Sequence, residues 1–284
     1  MKVAAVVALK AVYPLTVLLA VAKLARSTFF YHQARQQRPD PQAALKTAIR
    51  ETFTQAQGRY GHRRIHACLR QAGWRVAKKT VLALMRQLEL RCLVRRRRPY
   101  RAVTGAVGTV APNLLNRAFT ASAPNQKWVT DITEFRVGER KVFLSPVMDL
   151  FDRQIIAYTV GPSPTLTLTN TALERALATL PAGQKPLVHT DQGVQYQHRT
   201  WHALLARVGA TPSMSRKGTC LDNAVMENFF GHLKEECFHH GTFADADALT
   251  AAIHDYIEWY NTERISTTLQ DMSPVQYRAH ALAA

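Results

Sequence analysis

Acidic residues are scarce in the first part of this 284-residue chain: residues 1–120 contain only Asp40, Glu51 and Glu89, against 23 Lys and Arg. So lopsided a segment excludes an acidic or cation-binding role for this region. It points to a polyanionic partner, either nucleic acid or an anionic membrane surface. Cysteine is scarce as well. Cys68, Cys92, Cys220 and Cys237 form no C-x-x-C pair, which excludes a disulfide scaffold and leaves the reduced thiols of a cytosolic protein. Cys237-Phe-His-His240 has no second half at ligand spacing, so zinc is not expected. Long hydrophobic runs are missing too. The uncharged stretch Ala11–Ala22 has 12 residues and contains Pro14, short of the ~20 that a bilayer span needs. Met1-Lys2 is followed by no uninterrupted apolar region with a cleavage site, so no export signal is expected.

What is present suits a folded protein. Hydrophobic residues make up 47% of the chain, enough for a core, and the length suits roughly two domains. The net charge of +17 divides unevenly: residues 1–120 carry +20, and residues 121–284, with 14 basic and 17 acidic side chains, carry −3. We therefore expect a basic binding module joined to a domain of another kind. Its parts are an N-terminal helical, helix-turn-helix-like region at 1–40, a basic helical DNA-binding domain at 41–98 and a linker at 99–126. An α/β region with C-terminal helices fills 127–284.

Apolar spacing predicts helical structure over Tyr13–Tyr31, with Leu15, Leu18, Leu19 and Ala22 on one face, a break near Ala25-Arg26 and Ser27 as the next cap. Three further helices are expected at Ala43–Phe53, His62–Gln71 and Ala77–Leu88, the last with Val81, Leu82, Met85 and Leu88 inward. Gly58-Arg-Tyr-Gly61 and Ala72-Gly-Trp74 punctuate them. Arg63, Arg64, Lys78 and Lys79 stand at helix starts, where side chains and backbone N–H groups can meet phosphates together. Each also fits a solvated basic face, but with Arg95–Arg98 following, the set points to DNA.

From Lys127 the period changes to two. Strands are expected at Lys127–Val137, Lys141–Leu150, Gln154–Val160, Pro186–Asp191 and Thr211–Met214, with helices at Thr165–Leu180 and Arg199–Val208. This order predicts a mixed sheet with helices on both faces. Three acids stand out: Asp131 amid the first strand, Asp191 ending the fourth and Glu227 on a helix that Asp222 is expected to cap. Each alone also fits a turn or cap. Brought together they would repel and need a cation, and hard oxygen donors favour Mg²⁺ or Mn²⁺. Two such ions about 3.5–4 Å apart can clamp a phosphodiester. Asp149 and Asp152 read as turn and strand-end residues. His189, on the same strand face as Asp191, is either a helper or a packed histidine. Lys234, seven positions after Glu227, and Arg216 and Lys217, in the loop before that helix, are candidate DNA contacts.

Trp128-Val-Thr-Asp131-Ile-Thr-Glu-Phe, His189-Thr-Asp191-Gln-Gly and the tract from Ser213 through Glu227 to Lys234 resemble a DDE insertion-sequence transposase of the OrfB type. The 35 residues between Asp191 and Glu227 match that family's D-D-35-E spacing. The resemblance runs from about Tyr13 to Ala279 and takes in Arg59-Tyr-Gly-His-Arg-Arg-Ile65, Tyr260-Asn-Thr-Glu-Arg264 and Ser273-Pro-Val-Gln-Tyr277. Departures are small: Thr219 stands where Asn is frequent, and Ile265-Ser-Thr-Thr-Leu-Gln-Asp271 varies a tract that often begins Arg-Pro-His. It implies an RNase H-like, retroviral-integrase-like core in which Asp131, Asp191 and Glu227 hold the metals. The implied chemistry is hydrolysis at the element's end to free a 3′-OH, then attack of that hydroxyl on a second phosphodiester. Implied partners are element-end and target DNA, further copies of the chain, and the OrfA product of an upstream reading frame or a fusion with it. The implied location is the bacterial cytoplasm, at the nucleoid. A DNA-binding regulator with a relic integrase core is the alternative.

Overall fold

The computed structural model describes residues 2–37, 39–93, 110–216 and 219–283, and among these, six helices precede the first strand. The Arg95–Arg98 tract and Lys217 lie outside these residues. Helices α1 (Lys2–Leu9), α2 (Leu15–Val21) and α3 (Arg26–Gln37) meet around Val6, Leu19 and Phe29. The break after α2 comes at Lys23, whose φ of 49° puts it in the left-handed region. The Lys23 and Leu24 N–H groups turn back to the Ala20 and Leu19 carbonyls, closing the helix end. Helix α3 then starts at Arg26, so Ser27 lies inside its first turn and is not the cap.

Helices α4 (Ala43–Gln55), α5 (His62–Gln71) and α6 (Lys78–Gln87) pack around Ile49, Ile65, Leu69, Val81, Leu84 and Met85. On α6 it is Leu84, not Leu82, that is buried with Val81 and Met85, because 81, 84 and 85 share a face. Helix α5 ends through Gly73 at φ 85°, where a side chain would be strained, with the Trp74 N–H returning to the Leu69 carbonyl. One residue of this core comes from far along the chain: Ile265, 6% exposed, fills the same cluster.

The sheet is mixed, as the residue pattern predicts. Strands β1 (Lys127–Thr130), β2 (Thr133–Val137), β3 (Arg140–Asp149) and β4 (Ile155–Gly161) are antiparallel neighbours, and β5 (Leu187–Thr190) and β6 (Thr211–Met214) add in parallel beside β1. The single strand expected over Lys127–Val137 is two strands. Both lie along β3 in one unbroken register, Trp128 opposite Asp149 and Thr133 opposite Leu144. They part at Asp131-Ile132 because the Ile132 N–H donates to Asp131 Oδ1 (2.7 Å) instead of joining the ladder. Helices α7 (Leu166–Ala178) and α8 (Arg199–Val208) cover one face around Trp128, Val188 and Trp201. Helices α9 (Ala224–Leu233) and α10 (Ala246–Thr262) cover the other around Val129, Leu144, Phe229 and Ile253. Helix α11 (Pro274–Ala283) closes the described chain.

Residues 110–126, expected within a linker, contain no helix or strand, yet they strap the core. Leu115 is 1% exposed in the α9/α10 cluster, and the Leu114 and Leu115 N–H groups both donate to Ser213 Oγ. Asp149 and Asp152 sit at the β3–β4 turn as expected, accepting from the Phe151 and Gln154 N–H groups, and both also bind Arg278 of α11. Among the described residues, no helix is long and apolar enough to cross a membrane.

Candidate active site

Three elements carry the three acids. Asp131 follows β1 at the interruption just described, Asp191 follows β5 in the parallel neighbour strand, and Glu227 lies in the first turn of α9. All three are half-buried. Desolvation raises the Asp131 pKa well above the ordinary carboxylate range, and the charges of Asp191 and Glu227 push the same way; the Ile132 N–H and the Lys234 charge oppose them. Burial raises Asp191 as well, against a hydrogen bond from the Gly193 N–H to Oδ1 (2.8 Å). The acids are thus within electrostatic reach of one another. Each aspartate uses one oxygen on a backbone N–H and, having about four acceptor positions, keeps capacity for a further ligand.

Gly193 is needed where it stands. A Cβ there would come within 2.9 Å of Asp191 Oδ1, so any side chain would displace the carboxylate. Tyr196, which the sequence reading passed over, packs beside the same turn. Its N–H donates to the Gly193 carbonyl (3.0 Å) and its ring meets Trp201 edge-on at 4.9 Å. The residue is 1% exposed, and burial, then the charges of Asp131 and Asp191, hold the phenol well above its ordinary pKa. The only signal for it in the sequence is a tyrosine five positions after Asp191 in a turn.

His189 is a packed histidine with 0% exposure. Nδ1 lies 2.8 Å from Ser213 Oγ and Nε2 lies 3.1 Å from Ser215 Oγ. Because Ser213 Oγ already accepts two N–H groups, its own proton goes to Nδ1, which assigns the ring hydrogen to Nε2. Burial lowers this histidine to about pKa 4, so it is neutral and its task is to tie β5 to β6.

Asp222 does not cap α9. It is 0% exposed in a 3₁₀ turn (Cys220–Asn223), and its carboxylate accepts from Arg216 Nε (2.8 Å), Arg216 Nη2 (2.9 Å), Arg117 Nε (2.8 Å) and Asn113 Nδ2 (2.8 Å). The Arg216 hydrogen bonds, ahead of those from Arg117, hold it far below the usual carboxylate range. The loop between Asp191 and Glu227 is thereby pinned to the strap. Arg216 is exposed but spends its guanidinium on this pair.

The remaining expected DNA contacts divide. Arg63, Lys78 and Lys79 are exposed on the helical region. Arg64 turns inward, with its side chain 20% exposed and Nη1 3.4 Å from Glu236 Oε1. Lys234 is half-buried, its ammonium 5.4 Å above the Phe135 ring and within electrostatic reach of Asp131. Cys237 is half-buried, and among the described residues no group of three or more His, Cys, Asp and Glu is gathered at metal-ligating distance. A cavity of about 680 Å³ lies elsewhere, lined by residues including Arg153, Asn228 and Arg264 and by none of the three acids.

The "Integrase core domain" families match residues 121–220 and 227–282, and an "HTH-like domain" matches residues 40–98. The Putative transposase InsK for insertion sequence element IS150 of Escherichia coli (strain K12) is 44% identical over 270 residues, covering 95% of each chain. The Probable transposase for insertion sequence element IS1353 of Shigella flexneri is 43% identical over 280 residues; this chain spans 97% of itself but 54% of that protein's length. One solved structure, the HTLV-2 integrase catalytic core domain in complex with magnesium, aligns with 55% of this chain and 98% of its own at 19% identity and a TM-score of 0.41. The family assignment stands on the sequence relatives. With integrase-core matches over the strands and helices that bear the three acids, an HTH-like match over α4–α6, and a transposase 44% identical along 95% of both chains, the protein belongs to the insertion-sequence transposases of the DDE, OrfB type, enzymes of DNA transposition and integration.

Proposed function

We propose that Asp131, Asp191 and Glu227 are the catalytic carboxylates of this transposase and that they hold two Mg²⁺ or Mn²⁺ ions. The observation that carries the reading is that acids on three separate elements lie within electrostatic reach of one another: burial first, then the charges of Asp191 and Glu227, raises Asp131, and a cation relieves that repulsion. The donor set is all oxygen, as these hard ions require. When bound, such ions activate the attacking oxygen and stabilise the leaving oxygen in an in-line phosphoryl transfer. The chain's own part is to fix the carboxylates: Ile132 orients Asp131, the Gly193 turn orients Asp191, and α9 presents Glu227. Lys234, supported on Phe135, is placed to meet a phosphate beside Asp131. Arg63, Lys78 and Lys79 grip the backbone of element-end DNA, and Arg216, Lys217 and Arg64 have lesser parts in that grip.

The division into 1–40, 41–98, 99–126 and 127–284 assigns end binding to the helical parts and cleavage and joining to the core. Further copies of the chain on DNA and an OrfA partner or fusion complete the active species; the fusion is supported by a relative nearly twice as long as the region aligned. The working site is the bacterial cytoplasm, at the nucleoid. A strand-transfer assay on element-end DNA with Mg²⁺ tests the proposal. The wild type joins ends to target and Asp191→Asn does not; DNA binding by both proteins without Mg²⁺-dependent cleavage by either would establish the regulator instead.

A further inference from the structure

Two motifs of this chain have, apart from Arg63 and Arg64, no part in the chemistry described so far: Arg59-Tyr-Gly-His-Arg-Arg-Ile65 in the helical region and Tyr260-Asn-Thr-Glu-Arg264 near the end. They meet on one buried acid, Glu236. Helix α9 continues without a break into a π-helical turn (Lys234–Phe238), in which the His239 N–H reaches the Lys234 carbonyl at 2.7 Å. Such wide turns recur at functional sites. Two residues apart on this turn, Lys234 and Glu236 face opposite ways: Lys234 toward Phe135 and Asp131, Glu236 toward Arg264.

Glu236 is 6% exposed. Its carboxylate accepts from Arg264 Nε and Nη2 (both 2.7 Å) and from the Tyr256 hydroxyl (2.9 Å), with His232 Nδ1 at 3.3 Å and Arg64 Nη1 at 3.4 Å. Its backbone carbonyl accepts from Arg59 Nε (3.1 Å), and that guanidinium lies 4.5 Å over Trp259. Arg59 therefore caps the C-terminal end of the catalytic helix, where carbonyls lack helical partners and a cation is favoured. Tyr60 finishes the joint. Its hydroxyl accepts from the Ile265 N–H (2.9 Å) and lies 3.3 Å from the Glu263 carbonyl, while Ile265 plugs the core of α4–α6. Arg59 and Arg64 join the helical region directly to the rod that carries Glu227, and Tyr60 and Ile265 join it to the segment whose Arg264 holds Glu236.

We propose that Glu236 is a positioning residue: through it the helical DNA-binding region sets the orientation of α9, and so of Glu227 and Lys234, against Asp131 and Asp191. Glu227 lies nine residues earlier on the same rod, roughly 13 Å along the axis at helical rise, so a tilt at the joint is felt at the carboxylate. The proposal rests on the reading of Glu227 as a catalytic acid.

The test uses the full chain carrying Glu236→Gln, Arg59→Ala or, as a control remote from the joint, Leu205→Ala in the α8 core. The readouts are the Mg²⁺ concentration for half-maximal strand transfer per folded molecule, affinity for element-end DNA in chelator, and backbone hydrogen exchange. Glu236→Gln and Arg59→Ala are expected to raise the Mg²⁺ requirement roughly tenfold, the range for lost support of a metal ligand, with DNA affinity within about threefold. Leu205→Ala is expected to lower stability without moving the Mg²⁺ requirement. An unchanged requirement in Arg59→Ala, or an equal rise in Leu205→Ala, overturns the proposal, and Arg59→Ala decides alone if Glu236→Gln does not fold. If Glu227→Gln still transfers strands, the carboxylate reading is what has failed. The joint is then judged by exchange: faster exchange of 59–65 and 224–238 together in Arg59→Ala supports it, and faster exchange of one segment alone refutes it.

Discussion

Asp131 beside the α9 rod and Glu236 within it are both carboxylates withdrawn from water, and their proton affinities move in opposite directions. Asp131 faces Asp191 and Glu227, and burial together with these charges raises it well above the carboxylate range. For Glu236 burial also works upward, but the Arg264 hydrogen bonds, then those of His232, with the Arg264 and Arg64 charges, hold it far below. Burial is common to both, so the partners decide. A cluster of repelling acids is unfinished without a cation, whereas an acid bound by two guanidiniums and a phenol is complete. The first arrangement is the mark of a functional site and the second of a joint.

The strongest way to break this contrast is to neutralise each acid in turn. Asp131→Asn keeps the oxygen that the Ile132 N–H needs and removes the repulsion. Strand transfer is expected to fall below detection while the melting temperature in chelator stays level or rises; a clear drop in melting temperature would mean that Asp131 is a structural acid after all. At the joint, Arg264→Met leaves Glu236 buried with its main partner gone. That should cost about 3–5 kcal/mol of unfolding free energy, measured by urea titration, and a loss under 1 kcal/mol would remove the distinction. Gly193→Ala presses on Asp191 Oδ1 without opening a cavity. Activity is expected to fall roughly tenfold, as for a lost support of a metal ligand, with little change in the urea midpoint.

Acid sharpens the comparison. The folded-state pKa of Glu236 is depressed, so its stabilisation is complete above the ordinary glutamate range. As pH falls through that range, the unfolded chain takes up a proton that the folded chain refuses, and stability declines. Asp131 contributes with the opposite sign, since its raised folded-state pKa favours folding as protons bind. Stability curves from pH 6 to 3 should therefore be flatter in Glu236→Gln and steeper in Asp131→Asn than in the wild type. The smallest effect separates neighbours on α5. Arg63→Ala should reduce the slope of log affinity for DNA against log salt by about 1. Arg64→Ala, engaged with Glu236 at 3.4 Å, should leave that slope nearly unchanged and lower stability instead.

Much of this architecture was legible in the residue order. Period-two and helical spacings located the strands and helices α7 and α8 of the core to within a few residues, because those spacings report which face of an element is buried, whereas α10 and α11 were expected only as C-terminal helices without bounds. Two of the exceptions share a cause. Local pattern made Lys127–Val137 one strand and Asp222 a helix cap, and both errors concern a carboxylate whose bonds do not follow from its neighbours' polarity. Asp131 turns onto the next N–H and interrupts the ladder. Asp222 is taken by Asn113 and Arg117 from 109 and 105 residues away, besides Arg216. Arg64 belongs to the same class: its position at a helix start is open to phosphate by pattern, and a glutamate 172 residues distant claims it.

The sequence by itself determined the division of charge, the order of elements and the family, since composition, spacing and motifs are properties of the chain read along its length. It also singled out Asp131, Asp191 and Glu227 as one set, through a spacing and three motifs. Only the tertiary structure decided which charged groups face an unlike partner and which face their own kind. That choice separates Glu236 from Asp131 and Arg64 from Arg63. Coulomb and desolvation energies depend on distance and burial in space, and neither quantity is encoded by separation along the chain.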